Sequence, residues 1–134
     1  MNKKNWLILL SLFIIATLVL GACSVQKVEK NTYKQISAKE AKELMDTQEG
    51  YIILDVRTRA EYLEGHIPNA VLLPNESIGS TPIEQLPDKD QLILVYCRSG
   101  NRSKQASAKL VNLGYTNVHE FGGIGSWPYD IVKD

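Results

Sequence analysis

The segment Leu92–Gly114, LILVYCRSGNRSKQASAKLVNLG, constrains the fold more than any other part of the chain. Leu92 to Tyr96 form an unbroken apolar and β-branched run, the composition of a strand buried on both faces, as in a parallel sheet. Cys97 follows at once, then a short polar loop with Gly100, then a helical pattern in which Ala106, Leu110 and Leu113 share one face and Gly114 supplies the stop. The loop from Cys97 to Arg102 is thereby confined between a strand end and a helix start. Backbone N–H groups in such a loop converge on one concavity, which binds anions. The helix N-terminus adds partial positive charge, and Arg98 and Arg102 add full charges. Gly100 permits positive φ where the loop turns. A thiol at the mouth of this cup ionises more readily than free cysteine, whose pKa is about 8.5. Lowering it to about 7 takes only ~2 kcal/mol of preferential thiolate stabilisation. The pattern predicts a thiolate nucleophile acting on anionic substrates, with an inert buried cysteine at a strand end as the alternative.

The rest of the chain bounds the setting. Fifteen basic residues balance fifteen acidic ones, and 44% of the 134 residues are hydrophobic. This suits one globular domain plus a short apolar segment, and no basic excess argues for nucleic acid. Lys3 and Lys4 precede an apolar run from Trp6 to Leu20. It falls short of the ~20 residues of a membrane span and matches a signal-peptide core. The run ends in Leu20-Gly21-Ala22-Cys23, which resembles a bacterial lipoprotein lipobox. That resemblance implies a signal peptide over residues 1–22, a lipidated Cys23 as first mature residue, and an extracytoplasmic domain anchored to the cell membrane. An uncleaved anchor helix is the alternative. Residues 23–32 comprise the lipidated cysteine and a polar tether. With Cys23 capped by lipid, Cys97 is the only free thiol, so no intramolecular disulfide can form.

In chain order, strands are predicted at Tyr33–Ile36, Tyr51–Leu54, Val71–Leu73, Leu92–Tyr96 and Val118–Phe121. Ser37 with Glu40, and Thr58 with Glu61, form capping-box patterns that open helices. Thr81-Pro82 is a cap and first turn for a further helix to about Leu86. Strands alternating with helical patterns predict an α/β domain over residues 33–134 with a central, mainly parallel sheet of five strands. Ligands bind beyond the carboxyl ends of such strands. Asp55 and Cys97 each sit at such an end, so they share a rim. Asp55 is expected either to orient a loop arginine or to cap its strand. Arg57 either steers anions or is simply solvated. His66 reads as structural, and His66 and His119 are too isolated for a metal site. Trp127 reads as packing beneath the loop.

Five stretches together resemble a single-domain rhodanese-like sulfurtransferase. They are Leu54-Asp55-Val56-Arg57, Glu61-Tyr62, Gly65-His66-Ile67-Pro68-Asn69-Ala70, Cys97-Arg98-Ser99-Gly100-Asn101-Arg102-Ser103, and Gly122-Gly123 with Trp127. The resemblance implies that Cys97 takes sulfane sulfur from an anionic donor such as thiosulfate, becomes a persulfide, and passes the sulfur to cyanide or a thiol, a protein thiol included. By the same resemblance, the N–H groups of residues 98–102 (Arg98, Ser99, Gly100, Asn101 and Arg102) hold the persulfide, while Arg98 and Arg102 attract the donor. Asp55, Arg57 and Ser103 support the loop. No cofactor, metal or nucleic acid is expected, and the domain is expected to be a monomer. Two-step covalent transfer predicts ping-pong kinetics, and a thiol that is already ionised needs no proton shuttle.

Two other functions stay open. Phosphatases and arsenate reductases of this fold carry a loop one residue longer, with arginine six positions after the cysteine. Here that position is Ser103, and Arg102 sits at five, which makes a smaller cup. A tethered module that binds a partner without catalysis is the third possibility.

Overall fold

The computed structural model describes residues 31–79 and 82–133. The expected signal peptide, Cys23 and its lipidation, and the Thr81 cap lie outside the described residues. Among the described residues no helix is long and apolar enough to cross a membrane.

Five strands form one parallel sheet: β1 (Lys34–Gln35), β2 (Ile52–Asp55), β3 (Val71–Leu72), β4 (Ile93–Cys97) and β5 (Val118–Gly123). Their spatial order is β1-β5-β4-β2-β3. The apolar run of β4 is central, with all five residues buried. It pairs with β2 through Leu54–Val95 and Asp55–Tyr96, and with β5 through Leu94–His119 and Cys97–Gly123. The ladder to β5 shifts register between Val95 and Cys97. Cys97 is therefore the last residue of the strand rather than the first of the loop.

Helices α1 (Ala38–Thr47), α2 (Arg59–Glu64) and α3 (Asn101–Asn112) flank the sheet. The first two begin where their capping boxes predict. Ser37 and Thr58 each accept an N–H from the glutamate three residues on, and that glutamate reaches back to the cap N–H. The helix expected at 82–86 does not form. The segment makes only a turn, in which the Leu86 N–H donates to the Ile83 carbonyl at 3.0 Å. Between Pro82 and Pro87 there is no room for an i→i+4 ladder, and burying Ile83 and Leu86 needs only the i, i+3 spacing of one turn.

Alternation along β4 divides the core in two. Ile93, Val95 and Cys97 face α3 and pack with Leu54, Val56, Ala106, Leu110, Tyr115 and Val118. Leu94 and Tyr96 face α1 and pack with Ala41, Ile53, Ile67, Phe121 and Trp127. Each fully buried leucine or isoleucine contributes about 1.5–3 kcal/mol of transfer free energy. Trp127 is a packing residue, as expected, but in the α1-facing cluster rather than beneath the loop. Its ring contacts Phe121, and its Nε1 donates to the Asp130 carbonyl at 3.1 Å. His66 stacks on Tyr62, and its Nδ1 lies 3.0 Å from the Tyr62 carbonyl oxygen, a structural placement.

Candidate active site

Because β4 ends facing α3, the Cys97 side chain points beneath the N-terminus of that helix. Gly100 is the helix cap, at φ +104°, a backbone shape that favours glycine. This turn brings the Gly100 N–H to 3.0 Å from Cys97 Sγ. The Ser103 hydroxyl stands 3.4 Å from the same sulfur. Burial pushes the thiol pKa up, but the Ser103 hydroxyl and the N–H groups of Ser103, Gly100 and Ser99 outweigh it, so the net direction is down. The residue is 1% exposed.

Ser103 is itself fully buried. Its Oγ lies 2.9 Å from the Gly100 carbonyl, 3.4 Å from the Gly122 carbonyl and 2.6 Å from Glu120 Oε1. Glu120 is buried as well, and its Oε1 also accepts the Gly122 N–H at 2.8 Å. Reasoning from the sequence misses this glutamate, although a signal for it exists. Val118 and Glu120 alternate onto one face of a strand that is covered on both sides, so an acid there cannot reach water.

The two loop arginines are placed differently. Arg102 makes a bidentate pair with Glu61, at 2.8 and 2.7 Å, rather than a contact with the sulfur. Glu61 thus serves twice, as capping-box residue of α2 and as anchor for the loop. Hydrogen bonds from Arg102 hold its carboxyl far below the usual carboxylate range, against the opposing effect of burial. The pair's stabilisation is present above the ordinary glutamate pKa of about 4.3 and is lost as pH falls below it. Glu61→Gln is expected to cost about 1 kcal/mol in urea unfolding at neutral pH. The deficit should shrink as pH falls below about 4.3 toward the depressed folded-state value; a pH-independent deficit would mean that the Glu61 charge contributes nothing.

Arg98 is exposed and makes no side-chain hydrogen bond to any described residue. With Arg57, Glu61, Glu64, Ile124 and Gly125 it lines a cleft of about 310 Å³ beside the loop. Asn101 and Ser99 are exposed on the same loop. Asp55 pairs with no loop arginine. Its carboxylate takes the Arg57 Nε and Nη2 at 2.9 and 2.6 Å and the Tyr96 hydroxyl at 2.6 Å. Arg57 is 5% exposed, which excludes the solvated reading. Asp55 and Arg57 thus brace the rim on the α1 side of the sheet, while Cys97, Ser103 and Glu120 form the cradle on the α3 side. Among the described residues no group of three or more His, Cys, Asp or Glu side chains is placed to hold a metal ion.

The chain is similar to several known proteins. A sulfurtransferase of Allochromatium vinosum is 42% identical over 85 residues, covering 63% of this chain and 77% of that one. Thiosulfate sulfurtransferase GlpE of Pseudomonas entomophila is 36% identical over 96 residues, covering 71% and 84%. The Candida albicans adenylyltransferase and sulfurtransferase UBA4 is 36% identical over 104 residues, or 72% of this chain, which spans about a quarter (24%) of that longer protein. Among solved structures, a rhodanese-like domain protein of Staphylococcus aureus superposes with a TM-score of 0.66 at 28% identity, covering 75% and 98%. The model of the family described as Rhodanese-like domain matches residues 37–128, nearly the whole described sheet together with its cysteine loop, and the chain belongs to that family.

Proposed function

We propose that the protein is a sulfurtransferase that moves sulfane sulfur from an anionic donor such as thiosulfate to a thiol or cyanide through a persulfide on Cys97. The observation that carries this reading is the sulfur held between the Gly100 N–H and the Ser103 hydroxyl. The Sγ attacks the donor's outer sulfur. An S–S bond forms, and the leaving group departs with the electron pair of the bond that breaks. The terminal sulfur of the persulfide carries the negative charge, and the loop amides stabilise it as they do the thiolate. An acceptor thiolate then attacks that terminal sulfur and releases Cys97. Arg98, at the cleft, meets the donor first. Arg102, with Glu61, holds the loop in shape, and Ser99 and Asn101 line its outer edge.

The cradle supports sulfur transfer over phosphate chemistry. Where a phosphatase-type loop places arginine, Ser103 is buried against the Glu120 carboxyl, so that position offers no guanidinium to bind a phosphate oxygen in bidentate fashion. The reading extends to location: residues 1–22 are removed and Cys23 tethers the domain to the outer side of the cell membrane.

One experiment tests both parts. Full-length protein extracted from membranes, mixed with thiosulfate and analysed by intact mass, is expected to gain one sulfur atom. Cys97→Ser is expected to gain none. The same spectrum is expected to show loss of residues 1–22 and a lipid mass on Cys23. Phosphate-ester hydrolysis or arsenate reduction without sulfur gain would replace this reading with the oxyanion one. Neither activity would leave a binding module.

A further inference from the structure

Sulfur transfer through Cys97 leaves the buried carboxyl of Glu120 without a task. Glu120 is 3% exposed and lies beneath the catalytic loop. Its link to the sulfur is Ser103. That hydroxyl has one proton and four neighbours able to accept it: Glu120 Oε1 at 2.6 Å, the Gly100 carbonyl at 2.9 Å, and the Gly122 carbonyl and Cys97 Sγ at 3.4 Å. A carboxylate at 2.6 Å makes the strongest of these bonds, so the Ser103 proton points to Glu120. The oxygen's lone pair then faces the sulfur, where it accepts the thiol proton.

We infer that Cys97, Ser103 and Glu120 form a proton relay in which Glu120 stores the cysteine's proton while the sulfur is negative or persulfurated; the relay rests on the sulfur-transfer reading. In the first half-reaction the proton of Cys97 Sγ passes to Ser103 Oγ, and the Ser103 proton passes to Glu120 Oε1. The thiolate attacks the sulfane sulfur, the new S–S bond forms, and the leaving group takes its electron pair. The loop now holds a persulfide anion above a neutral carboxylic acid. In the second half-reaction the acceptor thiolate takes the terminal sulfur, and the electron pair of the broken S–S bond returns to Sγ. The proton then travels back through Ser103. No proton enters or leaves, and the buried cradle holds one negative charge in every state. Two adjacent buried anions, the alternative, would repel each other at close range. Glu120 thus acts through Ser103 and touches no substrate. The relay serves the protonated thiol; a thiol that is already ionised needs no shuttle.

The surroundings leave Glu120 as the acceptor. On α3, Arg102 pairs with Glu61, and its charge also acts on Cys97, but it cannot accept a proton. Arg98 of the loop is exposed to the cleft. On β2, Asp55 is committed to Arg57 and Tyr96, which belong to the opposite face. On β5, His119 points to the α1 side, among Lys34, Glu40 and Glu43. Among the described residues no other titratable side chain hydrogen-bonds Ser103 or Glu120.

The test uses full-length protein labelled with 13C at its glutamate carboxyls, with thiosulfate as donor. Intact mass counts persulfide, and infrared difference spectroscopy detects protonated carboxyl. The expected result is one glutamate C=O band appearing per sulfur gained and disappearing when a thiol acceptor discharges the persulfide. In Glu120→Gln the band should be absent. Sulfur loading should fall by about 10²-fold at low pH and approach wild type as pH rises and the amide-held thiol ionises without the relay. Ser103→Ala should behave likewise, with Ser103→Thr restoring the profile. Persulfide formation without the band, or a Glu120→Gln profile superposable on wild type, would overturn the relay. Absence of persulfide in wild type would overturn the sulfur-transfer reading, and the relay with it. If Glu120→Gln does not fold, the band in the labelled wild-type protein decides alone.

Discussion

Gly123→Ala is expected to destabilise the domain by more than about 3 kcal/mol and to abolish sulfur loading together with the fold of the loop. A Cβ at this position would lie 2.1 Å from the Arg98 carbonyl oxygen, 2.5 Å from its carbon and 2.7 Å from Ser99 Cα. All three are backbone atoms, and side-chain rearrangement cannot relieve the clash. The loop has little freedom to retreat. Gly100 donates to Cys97 Sγ, and the Gly125 N–H donates to the same Arg98 carbonyl at 3.4 Å. Overpacking a well-filled site costs about 1–3 kcal/mol, and more where the backbone itself must move. For a domain of this size that lowers the melting temperature by more than about 10 °C. Gly125→Ala is the control. Its Cβ would stand 3.7 Å from the Arg98 oxygen, ordinary contact, so a change within about 0.5 kcal/mol is expected. Thermal melts followed by circular dichroism separate the two, and equal melting temperatures would remove close approach as the reason for glycine at 123.

Asp55→Ala is expected to cost about 3–5 kcal/mol, because it leaves the Arg57 guanidinium buried with no counter-ion. The carboxylate receives the Arg57 N–H, Nε and Nη2 and the Tyr96 hydroxyl. Through Arg57 Nη2 and the Gly65 carbonyl, and through Tyr96 and the Ile67 N–H, it ties the ends of β2 and β4 to the 65–70 turn. Burial, and after it the Asp55 charge, pushes the Tyr96 phenol far above its ordinary pKa, so the ring donates rather than ionises. Adding Arg57→Ala to Asp55→Ala should recover part of the loss, since the orphaned charge goes with it. Urea midpoints of the two single variants and the double variant form the cycle. Strict additivity would mean that the two side chains act independently.

The local patterns carried most of the architecture. A run of five apolar residues admits burial on both faces, and such strands alternating with capped helices have few packings other than a parallel sheet. Both capping boxes formed because their bonds join residues three apart, and no other part of the chain is needed. The 82–86 segment shows the limit of that reasoning: a cap and a proline start a helix, but length and burial decide whether it continues.

The cradle was legible for the same reason. Cys97, Gly100 and Ser103 lie within seven residues, and one strand end followed by one helix start sets their geometry. The charge partners were not legible. Arg102 finds Glu61 across 41 residues, Tyr96 finds Asp55 across the same interval, and Ser103 finds Glu120 across 17. Composition does not rank such pairings, because a carboxylate accepts from any donor that the fold brings near. Sheet order decided them. With β5 on one side of β4 and β2 on the other, one acid came beneath the cysteine loop and another to its rim. The chain by itself determined a thiol in a ring of amides; only the tertiary structure decided which charges surround it.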